Sequence, residues 1–217
     1  GSSQLRILSV TSAYDSVSRG QTRIGVQVSI RNNGGTTALL DTLQLRFSSG
    51  SYSNWSNIFL PAQPIAAGST FTYNFANVTV NAGSALGLAS VNARLAARDS
   101  VSTNPLTVES ADTTHSWRVV TPGSLVYNSL APLQVTTNQQ TAFALTVQNT
   151  GQANMYLLPT VSILNIGSLT IPLTDTTLVR GNTSRVISFP STPIGLATGT
   201  YTASLDYDYL ENLALFT

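Results

Sequence analysis

A strand that runs into an Asn-x-Gly turn occurs twice in this chain, and no other feature restricts its fold as tightly. Residues 21–34 alternate Ile24, Val26, Val28 and Ile30 with polar or small neighbours and then break at Asn32-Asn33-Gly34. Residues 140–151 do the same with Phe143, Leu145 and Val147, and break at Asn149-Thr150-Gly151. A period of two closed by Asn and Gly is the pattern of a half-buried strand entering a reversal. The two turn glycines lie 117 residues apart (151 − 34), which predicts a tandem duplication within the 217 residues. Each half is then about 100 residues, a size that buries its own core.

Further alternating runs follow the same rule. In the first half they cover 5–10, 39–47, 71–75 and 89–97, with a closing strand at 114–120. In the second half they cover 125–130, 156–166 with Pro159 inside, 178–183, 186–189 and 200–210. Residues 50–64 contain two prolines and no clean period, and read as a loop or an irregular edge. Thr121-Pro122-Gly123 is the natural boundary, giving domains at 4–120 and 124–217. No stretch has a useful helical period, so parallel crossovers are not expected. The expectation is an all-β chain of two tandem immunoglobulin-like antiparallel β-sandwiches. Aligning Gly87 with Gly199 leaves the second domain one strand short after residue 210, unless Leu213 to Phe216 supplies it through a tight turn. A bare edge of that kind invites strand addition from another chain, self-association included.

Composition excludes several functions. Charged residues are 9% of the chain and the formal charge is +1, with no basic run. Nothing here releases counterions as nucleic-acid binding requires, and nothing makes a polybasic membrane patch. All ten basic residues are arginines, so lysine Schiff-base chemistry, P-loop phosphate binding and lysine isopeptide staples are absent. With no cysteine there is neither a disulfide framework nor a thiolate metal site. Polarity is carried instead by Ser and Thr, about a quarter of the residues. No run approaches the ~18 apolar residues of a membrane span. Gly1-Ser2-Ser3 looks like a cloning remnant. A signal peptide, if the protein is exported, is expected outside these residues.

Few residues offer chemistry. His115 is the only histidine. Its neighbour Ser116 faces the opposite side of a strand, so the two do not form a nucleophile and base, and no Gly-x-Ser-x-Gly elbow exists. Asp206 and Asp208 sit two apart on one strand face, where solvated carboxylates are the plain reading. A glycosidase pair would flank its substrate from different elements, and a calcium loop with Glu211 lacks its glycine and spaced ligands. Tyr52, Trp55 and Phe59 lie in the Ser- and Asn-rich irregular segment and are the candidate binding residues for a protein or a carbohydrate, against the alternative that they cap the core. Trp117 and the row Tyr201, Tyr207 and Tyr209 read as core or inter-domain packing. The triplets at Asn54, Asn77 and Asn182 match a glycosylation acceptor too short to be specific.

Asn32 to Gly34 with Ile65 to Thr70, and Asn149 to Gly151 with Leu178 to Thr183, follow one order: strand, Asn-x-Gly turn, strand, then Leu/Ile-x-x-Gly-x-Thr before another strand. This order resembles the bacterial cell-adhesion-related domains and similar extracellular Ig-like spacers. The resemblance implies an extracellular, non-catalytic module without cofactor, acting as a spacer or protein-binding stalk among neighbouring domains of a larger bacterial secreted or surface protein. A carbohydrate-binding accessory of an extracellular hydrolase is the alternative. The resemblance carries over turn chemistry and no functional residues.

Overall fold

Alternation of buried and exposed side chains along strand after strand makes the chain all-β, in antiparallel sheets with a single parallel pairing among the described residues. The computed structural model describes residues 1–47, 55–110 and 115–213, with the backbone alone for 55–61. Two compact units result, Gly1–Val120 and Thr121–Thr217.

Unit 1 contains β1 (Leu5–Thr11), β2 (Ser16–Ser18), β3 (Ile24–Asn32), β4 (Ala38–Phe47), β5 (Trp55–Ile65), β6 (Thr70–Val78), β7 (Gly87–Asp99), β8 (Pro105–Glu109) and β9 (His115–Val120). One sheet runs β1-β3-β6. The other runs β2-β9-β7-β4-β5, with β8 also on β7. Both send their apolar faces into one core, in which Ile24, Val28 and Ile30 of the first sheet join Leu43, Leu45, Leu95 and Trp117 of the second. Each buried side chain of this size contributes about 1.5–3 kcal/mol. Trp117 closes one end by stacking on Phe47, with ring centroids 5.3 Å apart.

Unit 2 contains β10 (Leu125–Ala131), β11 (Gln140–Thr141), β12 (Ala144–Asn149), β13 (Met155–Leu157), β14 (Ile163–Ile166), β15 (Leu169–Pro172), β16 (Thr177–Val179), β17 (Ser184–Ser188), β18 (Thr192–Pro193), β19 (Ala203–Asp206) and β20 (Tyr209–Glu211). One sheet runs β10-β12-β17. Facing it, β16-β13-β20 and β15-β14-β19 form two consecutive segments, and β11 pairs with β18. Val147, Met155, Leu157, Leu164 and Leu205 share the second core.

The Asn-x-Gly turns organise both units in the same way. Asn32 is fully buried, and its Oδ1 accepts from the amides of Gln4 (3.1 Å) and Gly34 (2.9 Å). Its Nδ2 donates to the carbonyls of Thr36 (2.8 Å) and Ile65 (2.9 Å). Asn149, equally buried, accepts from Ser124 (3.1 Å) and Gly151 (3.0 Å) and donates to Ala153 (2.8 Å) and Val179 (3.2 Å). The glycine after each turn lies under the leading segment of its unit. A Cβ on Gly34 would stand 2.3 Å from the Ser2 carbonyl oxygen, and one on Gly151 1.8 Å from that of Pro122. Ser2 and Ser3, which look like a cloning remnant in the sequence, are therefore integral to the turn, and Ser3 is buried.

The second paired motif is displaced by one residue from its sequence alignment. Ser69 and Thr183 hold equivalent positions, since their carbonyls accept from Asn32 and Asn149 and their own amides and hydroxyls return to Ala66 and Arg180. Gly68 (φ 71°) thus matches Asn182 (φ 56°), not Gly181. Asn tolerates the left-handed conformation well enough to replace Gly there. Gly181 is required for another reason, because its Cβ would meet the Gln152 carbonyl oxygen at 2.0 Å.

Other expectations are corrected. Of the two readings of 50–64, the described part takes the irregular edge and not the loop: 55–65 forms the edge strand β5, whose register on β4 slips between Gln63 and Phe59, around Pro61. An edge strand accommodates proline there because the missing donor faces no partner. The connection after Asn104 contains β8, a short strand that starts on Pro105. The polar turn at Ser16 holds β2, which pairs in parallel with β9. Tyr156 to Ile166 is broken into β13 and β14 by a turn at Pro159, and 200–210 into β19 and β20.

Replacing Asn32 by Ala strands two part-buried amides, one part-buried carbonyl and the buried Ile65 carbonyl, and is expected to destabilise unit 1 by about 3 kcal/mol. Asn149→Ala should do the same to unit 2 alone. Denaturant unfolding followed by NMR of residues in each unit separates the two transitions; equal loss in both units from either variant would contradict the assignment.

Candidate functional site

The long strand β7 ends at a carboxylate that ties the unit together. Asp99 Oδ2 accepts from the Ser3 amide (2.6 Å) and the Thr36 hydroxyl (2.5 Å), and Oδ1 accepts from the amides of Val101 and Ser102, both at 2.9 Å. The Thr36 hydroxyl, followed by these amides, holds the carboxyl well below the usual range. Glu211 stands in the same place in unit 2, where its Oε1 accepts from the Gly123 amide at 2.6 Å. The pairings Ala38↔Asp99 and Met155↔Glu211, and the hydrogen bonds Ser100 N to Thr37 O and Asn212 N to Asn154 O, fix the equivalence.

From that anchor the two strands can be compared residue by residue, and their surroundings differ. In unit 1, β7 is covered along its outer edge: β9 pairs with Gly87–Val91 and β8 with Arg94–Arg98. In unit 2 no strand pairs with the outer edge of β19 and β20 among the described residues. Ala89 is 1% exposed and its counterpart Tyr201 39%; Leu95 is 0% exposed and its counterpart Tyr207 38%. Across the gap, β1 and β10 share a register slip, Ile7/Ser9 in one and Tyr127/Ser129 in the other. Ile7 is 3% exposed, whereas Tyr127 is 50% exposed. Of the row read as core or inter-domain packing, Tyr209 is half-buried against the second core, whereas Tyr201 and Tyr207 are exposed and do not belong to that core.

Side chains cap part of this edge. In unit 1 the backbone of Ala93 bonds to Ser110, whose amide donates to the Ala93 carbonyl and whose Oγ accepts from the Ala93 amide at 2.7 Å. In unit 2 the Tyr127 phenol does both tasks, donating to the Leu205 carbonyl at 3.0 Å and accepting from its amide at 3.1 Å. The Tyr209 amide donates to Asp208 Oδ1 at 2.8 Å. Tyr207, between them, has no strand partner among the described residues. Burial raises the Tyr209 phenol above its ordinary value, helped by Glu211, Tyr207 and Asp208 nearby.

Two connected hollows lie along the edge. One, of about 170 Å³, lies between β10 and β19 and is lined by Tyr127, Leu130, Leu145, Leu164 and Leu205. The other, of about 680 Å³, shares Leu130 and Ala203 with it and extends past Phe143, Ile166, Ile194 and Tyr201. Ile166 pairs with Ala203 as Phe47 pairs with Val91, so the larger hollow borders the place that Trp117 fills in unit 1.

The sequence candidates fall elsewhere. Tyr52 lies outside the described residues. Trp55 and Phe59 are on β5 opposite Arg46 and Thr42, and their side chains are outside the description. His115 is half-buried in β9 between β2 and β7, its Nε2 2.9 Å from the Tyr14 carbonyl and its ring edge-on to Trp117. The exposed Ser116 points away from it. Asp206 is exposed and accepts from Asn165 Nδ2 at 3.0 Å. Among the described residues no three His, Cys, Asp or Glu side chains come together as a metal site needs. The sequence carries one signal for Tyr127, a tyrosine where the equivalent strand of unit 1 carries Ile7.

No family model matches the chain, and no curated protein does. Among solved structures it is similar to red sea bream transglutaminase, at 14% identity and a TM-score of 0.35, over 94% of this chain and 29% of that one. It is also similar to a chaperone and tip adhesion subunit pre-assembly complex from archaic chaperone-usher Csu pili of Acinetobacter baumannii, at 16% identity and a TM-score of 0.24, over 95% of this chain and 97% of that one. The YadV chaperone matches at 12% identity and a TM-score of 0.25, over 94% and 100%. At these scores the likenesses carry no functional argument.

Replacing Tyr127 by Phe removes the hydroxyl and keeps the ring. The Leu205 amide is expected to exchange with solvent about tenfold faster, equivalent to the loss of about 1.4 kcal/mol, without change at Val147 in the core. An unchanged Leu205 rate, read by NMR, would show that the phenol does not cap the strand.

Proposed function

We propose that the chain is a non-catalytic extracellular module, a spacer or protein-binding stalk of a larger bacterial secreted or surface protein. The observation that carries this reading is where the polypeptide enters and leaves unit 1. It enters beside Asp99, where the Ser3 amide is bound, and leaves through β9, whose Val119 pairs with Gly87. These are opposite ends of the 13-residue strand β7, about 40 Å apart at the usual rise per residue. A unit threaded end to end in this way holds whatever precedes it away from whatever follows.

The parallel pairing of β2 with β9 fits a load carried along that axis. Ser16, Val17 and Ser18 lie beside Arg118, Val119 and Val120, so tension on the two ends draws the strands past one another and loads their bonds together. The turn chemistry around Asn32 and Asn149 supports the resemblance to extracellular spacers, and the low charge and hydroxyl-rich composition are compatible with it. A carbohydrate-binding role would rest on Tyr52, Trp55 and Phe59, and no observation on the described residues favours it.

Force spectroscopy on the whole chain tests the mechanical reading. Val17→Pro removes a donor from β2 and should lower the unfolding force of unit 1, recognised by its 120-residue contour, while leaving the 97-residue event of unit 2 (217 − 120) in place. Identical forces for unit 1 with and without the proline would exclude β2 and β9 as the load path.

A further inference from the structure

We infer that the tyrosine-lined groove between β10 and β19–β20 receives an extended segment of a separate protein chain, one with aliphatic side chains two residues apart followed by a basic residue. The inference goes beyond the spacer reading and does not depend on it, since a module that bore no load would keep the groove.

Unit 1 shows what fits. There β8 lies antiparallel to β7, with Leu106 opposite Ala97 and Val108 opposite Leu95. Both side chains are partly buried against the core, next to the edge of β1. The positions of unit 2 that correspond to Ala97 and Leu95 are Tyr209 and Tyr207, just past Leu205 along the chain, which lines the smaller hollow together with Tyr127. Tyrosine suits a surface that is wet when empty and dry when filled, because its ring offers apolar area and its hydroxyl stays solvated. The backbone of Tyr207, without a strand partner among the described residues, provides a site for strand pairing, the mode by which extended segments add to sheet edges. Tyr127, bonded to Leu205, marks where pairing stops, as Ser110 does in unit 1. Beyond that stop, the larger hollow has room for the aromatic side chain that Trp117 supplies in unit 1.

Charge selects the partner further. In unit 1 the acceptor strand is basic and the incoming strand acidic, with Arg94 opposite Glu109. Asp206 replaces Arg94 in unit 2 and Asp208 follows it, both exposed. A residue in the place of Glu109 would therefore face a carboxylate, and directly opposed like charges destabilise strand pairs. A basic residue is favoured there. The same rule disfavours a second copy pairing through this edge, because antiparallel juxtaposition would bring the Asp206–Asp208 stretches of both copies together.

The test titrates the full chain with a labelled peptide of residues 104–120 carrying Glu109→Arg, with anisotropy reporting binding and amide NMR its location. Saturable binding is expected, with shifts confined to 127–130 and 199–211, and the unmodified peptide should bind at least about fivefold more weakly. Asp206→Arg, a change at an exposed side chain that leaves the core untouched, should reverse that preference. The inference is overturned if neither peptide saturates, if Asp206→Arg leaves the preference unchanged, or if the chain alone forms a dimer through residues 203–211.

Discussion

A buried asparagine holds each unit at its most crowded point. Four backbone groups that would otherwise lack partners in the interior, from the leading segment, the turn and the strand opposite, converge on one amide side chain. Only Asn or Gln offers both an acceptor and donors on one planar group, and only the shorter one fits a two-residue return to Gly34 or Gly151. The glycine follows from the same geometry, since the leading strand passes where its Cβ would be. The carboxylate at the end of the last long strand then fixes that leading strand from the other side, as Asp99 in unit 1 and Glu211 in unit 2.

Given the common frame, the two units differ in how the last long strand is finished. Unit 1 covers it with β8 and β9 and can afford Ala89, Leu95 and Ala97 there, since these side chains never meet water. Unit 2 has tyrosines at the same positions and bonds a phenol to the exposed strand. A bare edge is a liability for aggregation, and capping by Tyr127 and Asp208 together with the exposed carboxylate of Asp206 are ways of containing it. The features that contain it also leave one stretch, around Tyr207, shaped for a particular visitor.

Much of this frame is legible in the sequence because it is written in period and turn chemistry. The alternation of Ile24 to Ile30 and of Phe143 to Val147 reports a strand with one buried face, and the Asn-x-Gly breaks report where it ends. The equivalence of Gly87 with Gly199 follows from the same alternation. What is hidden is whatever depends on a neighbour. Nothing in Leu106 and Val108 separates a five-residue edge strand from a polar connection until β7 is beside it. The tyrosines alternate as a core row would, and only the lack of a covering strand among the described residues turns them outward. The match of Gly68 with Asn182 escapes a glycine-based alignment because two residue types meet one backbone demand. Tyr52, Trp55 and Phe59 stand out in the sequence for a broken period, and for Trp55 and Phe59 the backbone gives its cause, an edge strand with a slipped register.

One frame is closed in unit 1 and, among the described residues, open in unit 2, and amide exchange at two equivalent residues tests this difference most directly. Leu95 sits opposite Val108, and Tyr207 has no strand partner among the described residues. Measured by NMR on the whole chain, the Tyr207 amide should exchange at least about a hundredfold faster than that of Leu95, while Val147 in the core sheet of unit 2 stays as protected as Val28 in unit 1. Equal protection at Leu95 and Tyr207 would contradict the account, because it would mean that the edge of unit 2 is covered as fully as that of unit 1.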